Sequence, residues 1–262
     1  MRISGATIGY ALTLKEFFDI LLKIFRKLST FPIYRAIVWY GKVIDMISAR
    51  LIKRGIFTIL GLLSVSLGVS FGRLAELGVA PVSSVANVLS IKFTFMSFGT
   101  WFILWNILLF LVQLIILGRE FKPAMIMQVP VAVIFGWFND LTRSCIDFIT
   151  PSGYISRLIL VAMSIICIAL GVALMVLSDT TVNPPDAFVR VVAGKLKKNF
   201  GDVKVAFDVS SVALAVILSL IFFDLTVVGT REGTVIIAVC TGFVVKFFTK
   251  LLKAAMTKIL DK

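Results

Sequence analysis

Apolar residues along this chain come in long uncharged blocks, not at the three-or-four-residue spacing of a helix with one buried face. A charge at the bilayer centre costs roughly 2.5–3.5 kcal/mol on insertion scales, and about twenty apolar residues cross the hydrocarbon, so each block predicts a membrane span. Six are predicted: 55–72 between Arg54 and Arg73, one within 93–118, 123–139, 158–178, about 205–228, and one that starts near Gly233 and passes Lys246. The clean part of the last, 233–245, is too short to cross alone. Lys246 and Lys250 are therefore expected to stretch toward the headgroups.

The first 54 residues have a different pattern. Leu14, Phe17, Phe18, Leu21, Leu22 and Phe25 form an apolar stripe, while Lys15, Asp19, Lys23 and Lys27 recur every four residues. Pro32 interrupts this, and Trp39 and Tyr40 follow beside Arg35 and Lys42. The pattern predicts amphipathic helices lying in the membrane interface. The arm reads as an anchor, or alternatively as a docking surface for a partner protein. Arg2 and the uncharged run after it lack a small-residue cleavage site, so removal as a signal peptide is not expected.

Composition narrows the class further. Of 262 residues 59% are apolar, against about 45–50% in soluble domains, which excludes a water-soluble globule. The expected fold is an all-α polytopic membrane protein with an interfacial arm over 1–54 and membrane segments over 55–150 and 151–262. With the N-terminus inside, every Lys and Arg except Arg73, Lys92, Arg143, Arg157 and Arg231 falls in an inner segment, so both termini are expected in the cytoplasm. The net charge of +13 is thus assigned to loops and not to nucleic-acid binding. The lipid bilayer is the expected partner, and no Gly-x-x-x-Gly span compels a homo-oligomer, which stays open. The chain has no histidine, and its three cysteines, Cys145, Cys167 and Cys240, have no CxxC spacing, so neither a metal nor a cofactor is expected. Without a P-loop or a nucleophile elbow an enzyme is not expected either. A lipid-directed enzyme would have only intramembrane carboxylates to work with.

The chain also repeats itself. Leu67-Gly68-Val69 returns as Leu170-Gly171-Val172 and Val79-x-Pro81 as Val182-x-Pro184, both at a shift of 103; Phe98-Gly99 and Asn106 return as Phe200-Gly201 and Asp208 at a shift of 102. Duplicated halves with spans broken by Gly and Pro at matching places are a common construction of secondary transporters. Here the matching breaks are 78–84 and 181–186, each opening a short helix, expected over 83–90 and 186–193, with Ser83 or Asp186 placed as at a helix start. If these short helices re-enter, the halves are 3+3 and inverted; if they cross, the halves are parallel with four spans each. Arg190, Lys195, Lys197 and Lys198 make the second too polar to cross, which favours the inverted version.

The strings Leu67-Gly-Val, Leu77-Gly-Val-Ala-Pro81 and Ser97-Phe-Gly-Thr-Trp101 resemble those of the YczE/YyaS/YitT-type bacterial integral membrane proteins, over about residues 55–252. The family pattern has a Gly-x-x-x-Asp late in each half. Gly136 to Asp140 fits it, whereas Gly242 to Lys246 carries a lysine in place of the acid. The resemblance implies a bacterial plasma membrane and transporter-like solute movement.

Polar groups inside spans are costly and are the default functional candidates. They are Asn106, Gln113, Gln128, Asn139, Asp140, Asp208 and Asp224. Asn106 and Asp208, at equivalent positions, are expected near the interface of the two halves. With Pro81, Ser83, Ser84, Asn183, Pro184 and Asp186 of the broken segments they make the predicted binding set for a small polar or anionic solute, since a helix start offers free N–H groups and partial positive charge. The expected function is alternating-access transport. A non-transporting scaffold or regulatory subunit, suggested by the arm, is the alternative.

Overall fold

The computed structural model describes residues 32–121, 123–178 and 184–260, with side chains from Leu51 onward apart from Pro123 and Ala124. The stripe predicted over 14–27 and the candidate Asn183 lie outside the described residues. Contacts divide the chain into two units, Met1–Leu51 and Ile52–Lys262. The described part of the first is helical backbone from Pro32.

Among the described residues every regular element is helical: α1 Pro32–Ala75, α2 Pro81–Lys92, α3 Phe98–Leu117, α4 Gln128–Cys145, α5 Tyr154–Ser178, α6 Pro184–Leu196, α7 Phe200–Phe222 and α8 Glu232–Leu260, with short 3-10 turns Gly118–Glu120 and Pro123–Met127. Six stretches are long and apolar enough to cross a bilayer: Leu51–Ala75, Phe98–Glu120, Met125–Cys145, Tyr154–Ser178, Phe200–Phe222 and Glu232–Leu260. Large apolar side chains such as Ile115, Ile155, Val205 and Phe243 stand exposed along them, as they should where the solvent is lipid. The fifth span is displaced from 205–228 to Phe200–Phe222. Asp224 falls beyond it, in an exposed turn with φ +49°.

Neighbouring contacts fix the direction of each span. At one end, called A, α1 finishes beside the start of α3, with the Arg73 guanidinium 4.1 Å from the Phe98 ring centroid. It also meets the end of α4, where Ser70 and Thr142 hydroxyls lie 2.8 Å apart. The Glu76–Arg157 ion pair (2.8 Å) brings in the start of α5, and the Gly233 N–H donated to the Leu77 carbonyl (2.8 Å) brings in the start of α8. At the opposite end B, Lys53 of α1 donates to the Ile259 carbonyl of α8 (3.3 Å), and Thr58 meets Ser178 of α5 (3.0 Å). The six spans therefore alternate in direction.

The two short helices do not cross. α2 begins where α1 ends, and its last residue, Lys92, donates to the Phe222 carbonyl of α7 at end A (2.7 Å). α6 begins after the B end of α5, and its Lys195 pairs with Glu120 at the B end of α3 (2.8 Å). Twelve residues of helix reach only about 18 Å, and α2 is largely buried, wedged between α3 and α7. Neither short helix is among the six stretches long and apolar enough to cross a bilayer.

α1 and α5 run antiparallel in backbone contact. A methyl added at Gly68 would sit 2.8 Å from both the Ile168 nitrogen and the Ser164 carbonyl, and one at Gly171 would meet the Gly61 carbonyl and lie 2.8 Å from the Val65 nitrogen. Small residues permit such approach, and in lipid it is packing more than apolar burial that holds helices together. Ser64 reinforces the seam by donating to the Cys167 carbonyl (2.8 Å).

Candidate functional site

The predicted site residues divide into two places. At end A, the turn before α2 needs Gly78, whose φ is +110° and where a side chain would strike the Thr234 hydroxyl. Ala80 is the helix cap and Pro81 the first helical residue, so Ser83 sits inside the first turn and is not the cap the sequence suggests. Pro81, Ser83 and Ser84 are buried, and Ser84 donates back to the Ala80 carbonyl (3.3 Å). The α2 start is thus packed against the turn into α8.

At end B the geometry is more open. Pro184, buried, starts α6, and Asp186 lies in its first turn. Lys204 and Asp208, four residues apart on α7, share a face, and the Lys204 ammonium lies 3.0 Å from Asp208 Oδ1 and 3.4 Å from Asp186 Oδ1. One ammonium between two carboxylates ties α6 to α7. The same ammonium lies 5.6 Å from the Phe207 ring, which packs 5.4 Å from Phe188 of α6. Beside it, α3, α6 and α7 enclose a groove of about 480 Å³, lined among others by Trp105, Leu109, Phe188, Val192, Phe207 and Ser211. Its volume suits a small molecule, and its lining is mainly aromatic and aliphatic.

Asn106 is almost fully buried on α3. Its amide donates to the Phe102 carbonyl (2.7 Å), leaving Oδ1 without a partner. Among the described residues no hydrogen bond joins it to Asp208, so of the predicted set the structure brings together Asp186 and Asp208, through Lys204, and leaves Asn106 and the α2 residues apart. Gln113, Gln128 and Asn139 are likewise buried with an unpaired carbonyl oxygen, and the neighbouring Trp105, which lines the groove, has a buried Nε1 with no acceptor. Unsatisfied groups of this kind are costly at membrane depth.

Two groups escaped the sequence reading. Lys204 counts there as a loop charge, although its four-residue spacing to Asp208 marks a pair. Arg73 counts as the charge that closes a span, yet its Nε donates to Asn87 Oδ1 of α2 (3.2 Å) while Asn87 Nδ2 donates to the Gly229 carbonyl (3.1 Å). A lone arginine one turn before a Gly-containing break was the available signal.

A family model described as a family of unknown function, DUF6198, matches residues 52–250. The chain belongs to the DUF6198 family. The match covers all six spans of this DUF6198 protein but for the ends of the first and last, together with both short helices and the groove. No curated protein and no solved structure matches the chain.

Proposed function

We propose that this DUF6198 protein is a transporter that moves a small polar solute by alternating access between two inverted halves. The observation that carries this reading is an exchange of contacts under the repeat shift. Adding 103 to Gly68 gives Gly171, and subtracting it from Ile168 and Ser164 gives Val65 and Gly61: the close neighbours of one glycine are the counterparts of the other's. The Ser64–Cys167 hydrogen bond joins a residue to its own counterpart, as on an axis. The contact of Lys92 with residue 222 corresponds in the same way to that of Lys195 with residue 120. Because α1 and α5 are antiparallel, the operation that exchanges the halves turns the chain over in the membrane. This is the arrangement of inverted-repeat transporters, with one short broken helix at each end.

A polar solute without negative charge fits end B better than an anion, because two carboxylates there face one ammonium and the groove wall is apolar. End B carries Lys195, Lys197, Lys198, Lys204 and Lys246, so the positive-inside rule assigns it to the cytoplasm. The motif resemblance to YczE/YyaS/YitT-type proteins supports a bacterial plasma membrane. The test is thermal stabilisation of the purified protein against a panel of metabolites, followed by flux of any hit into proteoliposomes. The reading predicts a hit lost in an Asp208→Asn, Asn106→Ala double variant and in Lys204→Gln. Full flux in both variants would remove the site; no hit, with a stoichiometric protein co-purifying, would favour the scaffold.

A further inference from the structure

Within the compact unit Ile52–Lys262, in which α4 also packs extensively on α3, equivalent elements of the two halves fall into two sets. One is α1, α4, α5 and α8, joined by the glycine seam of α1 and α5, the Ser70–Thr142 contact of α1 with α4, and an extensive α5–α8 interface. The other is α2, α3, α6 and α7, in which α2 packs on both α3 and α7, and α6 does the same. Each set contains equivalent elements from both halves. The seams between the sets are not equivalent. α3 and α4 are tightly packed: a methyl at Gly99 would strike the Gly136 carbonyl and the Asp140 carboxylate. Asp140 there accepts from the Gly99 N–H (2.8 Å) and the Ser97 hydroxyl (2.5 Å), capping the start of α3. α7 and α8 make no comparable seam, and the counterpart glycines, Gly201 and Gly242, have nothing within 4 Å of where a side chain would begin.

The geometry points to a pair of reciprocal gates: the α3–α4 seam, latched by Asp140, is closed at end A, while the α7–α8 seam is open at end B, and a rocking of one set on the other closes Gly201 onto the Gly242 segment as Gly99 and Gly136 part. The proposal rests on the inverted-repeat reading above and adds to it which seams move and what latches one of them. The glycines at 201 and 242 have no packing partner in this conformation. In the opposite one they would occupy the close approach that Gly99 and Gly136 occupy here. Lys246 stands where Asp140 stands, so the B gate lacks the carboxylate latch, and the resting balance lies toward the state with A shut.

Spin labels placed on cysteine-free protein in lipid nanodiscs read both gates without any solute. Leu104 with Leu141 reports the A seam, and Val205 with Phe247 reports the B seam; all four side chains are exposed. The expected result is a shorter α7–α8 component that grows in Asp140→Asn or Ser97→Ala while the α3–α4 distance lengthens, and that disappears in Gly242→Val, a variant the present packing accommodates. Lengthening at A with an unchanged B distance would overturn the proposal, as would full persistence of the short component in Gly242→Val. Reciprocal distances in a protein that moves none of the panel solutes in proteoliposomes would sink the transport reading and leave the gates standing.

Discussion

The α3–α4 and α7–α8 hairpins begin from matching sequence and end in different packing. Both put a glycine at the start of the first helix, at 99 and 201, and another within the second, at 136 and 242. In the first pair backbone meets backbone and a carboxylate from α4 caps α3; in the second both glycines are unpacked. A small residue thus permits a helix seam without enforcing one; the packed pair has Asp140 accepting from the start of α3, and at the fourth residue after the second glycine the other pair has the exposed Lys246. An ionised acceptor at a helix start is favourable, whereas an ammonium there adds to the positive end of the dipole.

The largest expected effect comes from filling the closed seam. Gly99→Leu should lower stability by about 3 kcal/mol through overpacking against Gly136, whereas Gly201→Leu should stay within about 0.5 kcal/mol; unfolding midpoints in detergent compare the two. Equal losses would mean that the B seam is packed in the folded protein.

Removing the latch comes next. Asp140→Ala loses two hydrogen bonds to a charged acceptor, about 1.5–3 kcal/mol, while Lys246→Ala, on an exposed side chain, should cost under about 0.5 kcal/mol. Denaturation of the same preparations checks both.

Gly68→Ala and Gly171→Ala sharpen the comparison from the other side, because their neighbours are counterparts. Each should cost about 1–3 kcal/mol and the two losses should agree; a large loss for one alone would break the equivalence of the halves. The smallest effect is a gain. Gly242→Ala should stabilise by about 0.5–1 kcal/mol, since alanine is the better residue in an open helix interior, while Gly136→Ala should lose stability against Ile103 and the Gly99 carbonyl.

Much of the architecture is legible in the chain because lipid punishes charge so heavily. Arg54, Arg119 and Arg231 bracket the uncharged blocks closely enough to give six spans, and Arg190 with Lys195, Lys197 and Lys198 keeps α6 from crossing. The site is less legible. Charge counting treats Arg73 and Lys204 as loop residues, since it reads the sign of a side chain and not its neighbours. Ser83 resembles a cap because it follows Pro81, yet proline itself takes the first helical position and moves the cap back to Ala80. The Asp186–Lys204 contact joins two helices whose angle no local pattern encodes. The open B seam is hidden for the opposite reason: its glycines read like those of the closed one, and only the lysine at 246 differs.

The central claim is that the two halves are inverted in the membrane, and the most direct test is the sidedness of two equivalent loops. Single cysteines at Phe95, after α2, and at Lys198, after α6, are exposed positions in an otherwise cysteine-free chain. A membrane-impermeant maleimide applied to intact cells and to inside-out vesicles should label Phe95→Cys only from the outer face and Lys198→Cys only from the inner one. Labelling of both from the same face would contradict the account.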